Sequence, residues 1–391
     1  MKFDFDKPID RRNTNSLKWN VGKSELPMWV ADMDFAAPPE VRKAIERRAA
    51  HGIFGYAEPP ADWARSYVDW WRTRHGYTMD EDSLIFCTGI VPAISSIVRK
   101  LTTPGEKVVV QSPVYNVFYN SIVNNGREVL ESPLDYSDGE YRLDVAALEK
   151  RLADPQASLF ILCNPHNPVG KIWDRQTLAT IGELCKKHGV TVISDEIHCD
   201  MTAPGKNYIP FASVSDTCRA IGATCISASK TFNIAGLQSA AVSVSDPVLR
   251  HKIWRGINTD EVGEPNVFGA EAAIAAFRYG GEWLDALREY IFDNKRTAAE
   301  MLSDTEVRIV SSEATYLLWA DCGAVTDDTD RLADFIRTET GLYISAGAQF
   351  GGNGKRFVRI NVACPRSVVR DGMERFKRGI KLFKDNFKGT N

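Results

Sequence analysis

The stretch that decides the fold is LFILCNPHNPVG, residues 159–170. An apolar run leads into a segment with two prolines and a glycine, which predicts a buried strand followed by a rigid loop. Two further stretches repeat this arrangement, VTVISDEIH at 190–198 and TCISASKTFN at 224–233. Each stretch carries a polar residue at or beyond the end of its apolar run, namely Asn167, Asp195 or Lys230.

Strand-like and helix-like segments alternate from about residue 84 to residue 245. The predicted strands are LIFC (84–87), KVVVQ (107–111), SLFILCN (158–164), VTVIS (190–194), ATCIS (223–227) and SAAVSVS (239–245). Apolar, β-branched strands between amphipathic helices predict an α/β fold, with a mostly parallel sheet covered on both faces. In such a sheet the carboxyl ends of the strands share one edge, where ligands bind.

The sequence changes in texture after residue 281. Residues 282–302 predict one long amphipathic helix. Strand-like segments at 314–321 and 356–362, a helix at 330–340 and a C-terminal helix then indicate a smaller α+β domain. We therefore predict an N-terminal arm and helix at 1–45 that belong to the small domain, a large ligand-binding domain at 46–281, and a connecting helix with the small C-terminal domain at 282–391.

Composition narrows the class of protein. A net charge of −3, with 25% charged and 44% hydrophobic residues, is ordinary for a globular protein and gives no reason to expect nucleic acid or a membrane as partner. The charged N-terminus MKFDFDKPIDRR lacks the apolar core of an export signal, so we expect a cytoplasmic location. The eight cysteines form no CxxC and the six histidines no HxxxH, so we expect reduced thiols and no metal site.

An Asn, an Asp and a Lys at one sheet edge suit pyridoxal 5′-phosphate (PLP). This cofactor needs a lysine for its Schiff base, a carboxylate that keeps its pyridine nitrogen protonated, and a donor to its ring hydroxylate. The alternative for Lys230 is a solvated surface lysine, and its position after a buried strand favours the cofactor. The alternative for Asp195 is a helix N-cap or an ion pair. Asn167 would supply the donor.

A phosphate site is predicted at CTGIVPAISSIV, residues 87–98. A strand end, a tight turn and a helix would direct the backbone amides of Gly89 and Ile90 at an anion, assisted by the helix dipole. Ser227 and Ser229 could complete this site, although ordinary turn hydrogen bonding is the alternative for each serine.

Two further side chains are candidates for ligand contacts. Tyr115 in PVYNVF could stack on the pyridine ring or be a core aromatic. Arg359 lies inside the apolar strand RFVRINV, and a buried arginine needs a partner. A substrate α-carboxylate would suit it, with a structural ion pair as the alternative. The glycine-rich stretch 346–356 departs from the phosphate-loop pattern at Gln349 and Arg356, so it predicts a flexible turn.

With these residues in place, the chain resembles PLP enzymes of the aspartate-aminotransferase fold (fold type I). It is most similar to the MalY/PatB group of cystathionine β-lyases and cysteine C–S lyases. The resemblance runs nearly end to end and is carried by TNSLKWN (14–20), LPMWVADMDF (26–35), HGIFGY (51–56), LCNPHNPVGKIW (162–173), SDEIHCD (194–200), SKTFNIAGLQ (229–238), EATYLLWADC (313–322) and RINVACP (359–365).

The resemblance implies a role for each candidate residue. Lys230 would form the Schiff base and move the Cα proton, Asp195 would pair with the pyridine nitrogen, and Tyr115 would stack on the ring. Asn167 and His198 would address the ring hydroxylate. The remaining roles are phosphate binding by Gly89, Ile90, Ser227 and Ser229, substrate binding by Arg359 together with Asn167, and a contact of Tyr56 with the phosphate and substrate of the neighbouring subunit, which implies a homodimer with shared active sites.

The resemblance also implies the reaction. An α,β-elimination would cleave the C–S bond of cystathionine or another S-substituted cysteine and give pyruvate, ammonia and a thiol. The alternative is an aminotransferase, which shares the first steps and needs a 2-oxo acid; a regulatory partner protein would be a further, non-enzymatic role. Asn116 stands where a second tyrosine is common in the group, close to the substrate side chain.

Overall fold

A computed structural model describes residues 3–387 of the chain. In this part of the chain the strands are β1 (Leu26–Pro27), β2 (Leu84–Cys87), β3 (Lys107–Val110), β4 (Glu128–Glu131), β5 (Asp135–Ser137), β6 (Glu140–Arg142), β7 (Ala157–Cys163), β8 (Thr191–Asp195), β9 (Gly222–Ile226), β10 (Ala240–Ser243), β11 (Arg308–Ile309), β12 (Leu317–Asp321), β13 (Leu342–Tyr343), β14 (Ser345–Ala346) and β15 (Phe357–Asn361).

The helices of the same part of the chain lie between these strands. They are α1 (Pro39–Ala50), α2 (Ala61–His75), α3 (Ile90–Leu101), α4 (Val117–Val123), α5 (Val145–Leu152), α6 (Arg175–Lys187), α7 (Asp216–Ile221), α8 (Ala228–Thr231), α9 (Pro247–Thr259), α10 (Gly269–Tyr279), α11 (Gly281–Leu302), α12 (Thr329–Thr340) and α13 (Arg366–Phe387). None of them is long and apolar enough to cross a membrane.

The large sheet has seven strands in the order β2-β10-β9-β8-β7-β3-β4. β10 is antiparallel to both of its neighbours, and the pairs from β9 to β4 are parallel. The predicted α/β fold with a mostly parallel sheet is therefore confirmed. Strand β10 ends before the predicted residue 245, because Asp246 already caps α9 by accepting a hydrogen bond from Leu249 N at 2.7 Å.

Helix α6 shows how the sequence covers the sheet. Asp174 caps the helix by accepting a hydrogen bond from Thr177 N at 2.7 Å. Leu178, Ile181 and Cys185 follow at helical spacing, and all three are buried in one cluster with the outer face of the sheet. Full burial of one such aliphatic side chain contributes about 1.5–3 kcal/mol. This apolar stripe therefore holds the helix against β7 and β8.

A second sheet, β11-β12-β15-β14, is antiparallel and packs with α12 and α13. The long helix α11 precedes it, within one residue of the predicted span. β1 pairs in parallel with β13, so the N-terminal segment joins this second sheet region. Helix α1, by contrast, packs against α10, and the three domain boundaries stay a prediction.

The structure corrects two local predictions. The strand predicted at 314–321 begins only at Leu317, because the preceding amides bond elsewhere: Ala314 N donates to Gly170 O at 2.9 Å and Thr315 N to Met201 O at 2.6 Å. The glycine-rich stretch 346–356 forms two short 3₁₀ turns. Its Phe350 carbonyl accepts a hydrogen bond from Val114 N at 2.8 Å, so this turn is anchored to the large sheet.

Candidate active site

The site forms where β7, β8 and β9 end side by side. Asp195, the last residue of β8, lies opposite Cys163 on one side and Cys225 on the other. The chain that leaves each neighbouring strand carries a further candidate, Asn167 after β7 and Lys230 after β9. Parallel pairing thus brings together three residues that are far apart in sequence, at the edge where the sequence predicts a site.

Asp195 is a buried carboxyl group that has no strong cationic partner at hydrogen-bond distance among the described residues. It is 4% exposed, and its Oδ1 accepts a hydrogen bond from Ile197 N at 3.1 Å. Burial raises the pKa of Asp195 to about 7, and the Ile197 amide and the Lys230 charge lower it in part. A cationic group placed against this carboxyl would hold it ionised.

The adjacent Glu196 faces away from Asp195, as alternation along a strand predicts. Its Oε1 accepts hydrogen bonds from Ser194 Oγ at 2.8 Å and Phe211 N at 2.9 Å, and its Oε2 accepts one from Tyr208 Oη. Burial raises the pKa of Glu196 to about 7 as well. The two neighbouring carboxyls therefore have separate tasks: Glu196 ties down a loop, whereas Asp195 remains available at the site.

Lys230 lies in the short helix α8, one turn beyond β9. Its Nζ donates a hydrogen bond to the Ala31 carbonyl, which also accepts one from Tyr316 Oη at 3.0 Å. Burial lowers the pKa of Lys230 to about 8, with Arg359 acting in the same direction and Asp32 and Asp195 opposing it. Near pH 8 a large share of the Lys230 side chains is therefore neutral and nucleophilic.

Arg359 approaches the same site from β15 in the second sheet. It is 6% exposed, and it donates to Asn167 Oδ1 at 3.3 Å and to Trp29 O at 3.0 Å, with its guanidinium 4.8 Å from the Phe350 ring centroid. Among the described residues no carboxylate pairs with it, and its Nε has no partner. Burial lowers the pKa of Arg359 to about 10. This cation is therefore free to bind an anionic ligand, and the structural ion pair is not observed.

His198 and Tyr115 complete the inner surface. Burial, with the charges of Lys230 and Arg359, lowers the pKa of His198 to about 3, so its ring is neutral, and its buried Nδ1 has no partner among the described residues. The half-buried Tyr115 packs edge-on against Phe118, with 5.6 Å between ring centroids. Burial raises the pKa of Tyr115, with Arg359 opposing the shift and Asp195 adding to it.

The predicted phosphate residues lie at the first turn of α3 and at α8. Gly89 precedes Ile90, the first residue of α3, and a side chain on Gly89 would bring its Cβ 3.2 Å from Pro92 Cδ. The Ser227 hydroxyl donates to Ser239 O at 2.7 Å and accepts from Ser229 N at 3.0 Å. Ser227 therefore caps α8, and its hydroxyl can address an anion only by giving up a backbone partner.

Tyr56 is a predicted site residue whose side chain does not pack within this chain. Its side chain is fully exposed, at 103% of the reference area, and Ile53 and Phe54 are also exposed. The segment between α1 and α2 thus presents aromatic and aliphatic side chains to the outside.

Sequence reasoning assigned no role to the segment that closes the site, residues 28–35. Besides the Ala31 carbonyl, Asn361 Nδ2 donates to Val30 O and Asp32 O, both at 2.6 Å. Tyr316 is the other contact that was missed. The motif WVADMDF gave a signal, because it carries two acids in an apolar stretch, yet only the folded chain shows that its carbonyl faces Lys230.

The fold and the site are those of a PLP-dependent enzyme of fold type I, and the comparison with known proteins supports this class. The chain belongs to the family described as aminotransferase class I and II, whose profile matches residues 26–376. It is 41% identical to cystathionine beta-lyase PatB of Bacillus subtilis, over 96% of this chain and 100% of the relative. It is 33% identical to protein MalY of Escherichia coli, over 95% and 97%.

A solved structure is also similar to the chain over nearly its full length. Cystalysin from Treponema denticola superposes with a TM-score of 0.94 at 31% identity, over 98% of this chain and 100% of that one. That structure contains a pyridoxal 5′-phosphate cofactor.

Proposed function

We propose that the chain is a PLP-dependent carbon–sulfur lyase that cleaves cystathionine or other S-substituted cysteines by α,β-elimination. The observation that carries the PLP-dependent part of this proposal is that Asp195 and Arg359 both act on the charge of Lys230 at the carboxyl edge of the large sheet. Its support from relatives is the end-to-end similarity to a cystathionine β-lyase. The small-molecule substrate would be an amino acid whose α-carboxylate Arg359 binds.

The residues present fit the cofactor. PLP carries an aldehyde, a protonatable ring nitrogen, a ring hydroxylate and a phosphate, and the pocket offers a group for each. The pKa of Lys230 is lowered to about 8, Asp195 is buried with no cation at hydrogen-bond distance, and His198 Nδ1 has no partner within the described part of the chain. The first turn of α3 at Gly89 and Ile90 suits an anion.

When bound, PLP supplies the electron sink that makes the Cα–H bond of an amino acid acidic. Arg359 would hold the substrate carboxylate while Asn167 orients the guanidinium, which fixes the Cα–H bond relative to Lys230. The Lys230 amine takes the Cα proton, and the Ala31 carbonyl accepts a hydrogen bond from the ammonium that results. Asp195 stabilises positive charge at the opposite end of the pocket.

Lys230 can also serve the leaving group. The Cβ–S electron pair departs on sulfur, and a thiolate with a pKa near 8.5 needs one proton. The Lys230 ammonium, with a pKa of about 8, is matched to that transfer and returns the proton it took from Cα. The remaining three-carbon enamine takes up water and gives pyruvate and ammonia, so atoms and charges balance.

The test is a pyruvate assay with an S-substituted cysteine and no added 2-oxo acid. The lyase releases pyruvate, ammonia and thiol in equal amounts, and the matched Lys230→Ala variant releases none above background. Amino-group transfer that occurs only after a 2-oxo acid is added would overturn the lyase and establish the aminotransferase. The two reactions use the same cofactor residues, so products rather than binding distinguish them.

We also propose that a second copy of the chain covers the exposed segment around Tyr56 and that Tyr56 enters the partner's site. Exposed aromatic and aliphatic side chains at 53–56 support an interface there. Mixing a Lys230→Ala chain with a Tyr56→Ala chain tests it, because one site of the mixed dimer then carries both lesions and the other carries neither. Recovery of activity supports shared sites; no recovery after demonstrated subunit exchange contradicts them. The cytoplasmic location stays a prediction.

A further inference from the structure

A pair of amide side chains bridges the rim of the pocket. Asn116 Nδ2 donates to Gln349 Oε1 at 3.0 Å. Asn116 directly follows Tyr115, and Gln349 directly precedes Phe350, whose ring lies under the Arg359 guanidinium. Gln349 is exposed and Asn116 half-buried, so the pair lies at the solvent edge of the site. A substrate held at Arg359 by its α-carboxylate would extend its sulfur substituent towards this edge.

The orientation of the two amides is fixed by a backbone carbonyl. Gln349 Nε2 donates to Ala346 O at 2.9 Å, and a carbonyl can only accept. The Gln349 oxygen must therefore face Asn116, and Asn116 must use its nitrogen as the donor. This leaves Asn116 Oδ1 as an acceptor that no described residue uses.

The turn that carries Gln349 is held rigidly, and it brings a carboxylate with it. Glu131 Oε2 accepts a hydrogen bond from Gly352 N at 3.1 Å, and Tyr119 Oη donates to Phe350 O at 3.3 Å. Within the described residues Glu131 has no basic side chain within ion-pair distance, and burial, followed by the Glu131 charge, raises the pKa of the neighbouring Tyr119. The rim therefore offers acceptor oxygens and a negative charge.

We propose that Asn116 and Glu131 select the distal group of the thioether, favouring a substituent that ends in an ammonium or another donor and disfavouring one that ends in a carboxylate alone. The physical reason is that an acceptor-lined rim stabilises a donor and leaves an anion without a partner. This inference rests on the proposed C–S lyase function and names its substrate class. It also gives Asn116, where a tyrosine is common in the group, a selective role.

Three cysteine thioethers of similar length test it: S-(2-aminoethyl)-, S-propyl- and S-(carboxymethyl)-cysteine. On the wild-type holoenzyme we expect kcat/KM to fall in that order, with about threefold to tenfold between neighbours, the worth of one hydrogen bond. Asn116→Leu and Glu131→Gln should each compress this series, while S-propyl-cysteine, which makes no such contact, keeps its kcat/KM within about twofold.

A binding measurement separates selectivity from turnover. Dissociation constants of the same three compounds, measured by calorimetry on PLP-loaded Lys230→Ala protein, should follow the same order, and the order should flatten when Asn116→Leu is added. Equal kcat/KM and equal binding for the three compounds, or an unchanged series in both rim variants, would overturn the selectivity alone. Failure to release pyruvate from all three compounds and from cystathionine would overturn the lyase itself, so the two failures are distinguishable.

Discussion

Two regions of the molecule meet at Lys230 and reach it in different ways. The carboxyl ends of β7 to β9 supply Asn167 after β7, Asp195 as the last residue of β8, and Lys230 in the short helix α8 after β9. The N-terminal segment supplies the Ala31 carbonyl from 199 residues away. The strand ends supply reactive groups, whereas the N-terminal segment places an acceptor beside one of them. The reactive side chains thus come from one edge of the sheet, whereas the acceptor that positions Lys230 comes from a segment far away in sequence.

The N-terminal segment is held by a buried ion cluster. Asp34 accepts hydrogen bonds from Lys18 Nζ at 2.7 Å, Arg11 Nη1 at 2.7 Å and Trp19 Nε1 at 2.8 Å. Arg11 also pairs with Asp32 at 2.8 Å, and Asp32 acts on the Lys230 charge. Buried charges of this kind are tolerated because each one is satisfied several times. The cluster thus sets the geometry of the segment that faces Lys230.

The largest expected effect belongs to the strand ends. Asp195→Asn should leave the fold intact but slow elimination by about 100-fold or more, because an amide cannot stabilise positive charge on its partner, and such a loss is typically about 3 kcal/mol in the barrier. Steady-state pyruvate formation measures it. Glu196→Gln, one residue away on the other face, is the matched control and should retain most of the activity. A rate for Asp195→Asn within about threefold of wild type would contradict the role of Asp195.

The next effect tests the N-terminal segment. Asp34→Asn should lower the free energy of unfolding by about 3 kcal/mol, because Asp32 at 3.8 Å is then the one ionic partner that the described residues offer to the buried Lys18. Denaturant unfolding measures the loss. Asp10→Asn replaces an exposed acid of the same segment and should change stability by less than about 0.5 kcal/mol. Equal stability of the two variants would show that the segment is not held by this cluster.

The smallest effect concerns Lys295, a lysine whose pKa is lowered by burial. Lys295 Nζ donates to Ser312 Oγ at 2.8 Å and Ala314 O at 2.9 Å, and burial lowers the pKa of Lys295 to about 7. The unfolded lysine has a pKa near 10.5, so between pH 7 and pH 10.5 the unfolded chain binds the proton that the folded chain has released. The Lys295 contribution to stability therefore rises with pH across this window, and its penalty is largest below pH 7.

Lys295→Met removes that penalty. At pH 6 we expect the free energy of unfolding of the variant, measured with denaturant, to exceed that of wild type by about 1–2 kcal/mol. The difference should shrink towards pH 10. Ser312 Oγ still donates to Ala314 O at 2.9 Å, so no acceptor is stranded. Arg296→Met on the exposed side of the same helix is the control and should show no such pH dependence. A variant less stable than wild type at pH 6 would contradict the burial argument.

The strand ends were predictable because apolar runs followed by polar residues are a local signal. That signal located Asp195 at the end of β8 and Lys230 shortly after β9, and a charge inside an apolar strand singled out Arg359. The local sequence signal could not reveal that the Ser227 hydroxyl donates a hydrogen bond to the Ser239 carbonyl, since that contact depends on β10 being antiparallel. Nor could it identify the Ala31 carbonyl, because a backbone acceptor carries no side-chain signal.

Lys230 and Lys295, the described lysines whose pKa is lowered by burial, give the account its most direct test. Borohydride reduction of the PLP-loaded protein fixes the cofactor covalently to the lysine that carries it, and peptide mapping by mass spectrometry then locates the adduct. Lys230, in the helix that follows β9, should carry the adduct. Lys295 should carry none although its pKa is lower still, because its amine is bonded to Ser312 and Ala314 rather than placed at the carboxyl edge of the sheet. An adduct on Lys295, or on no lysine at all, would contradict the central claim.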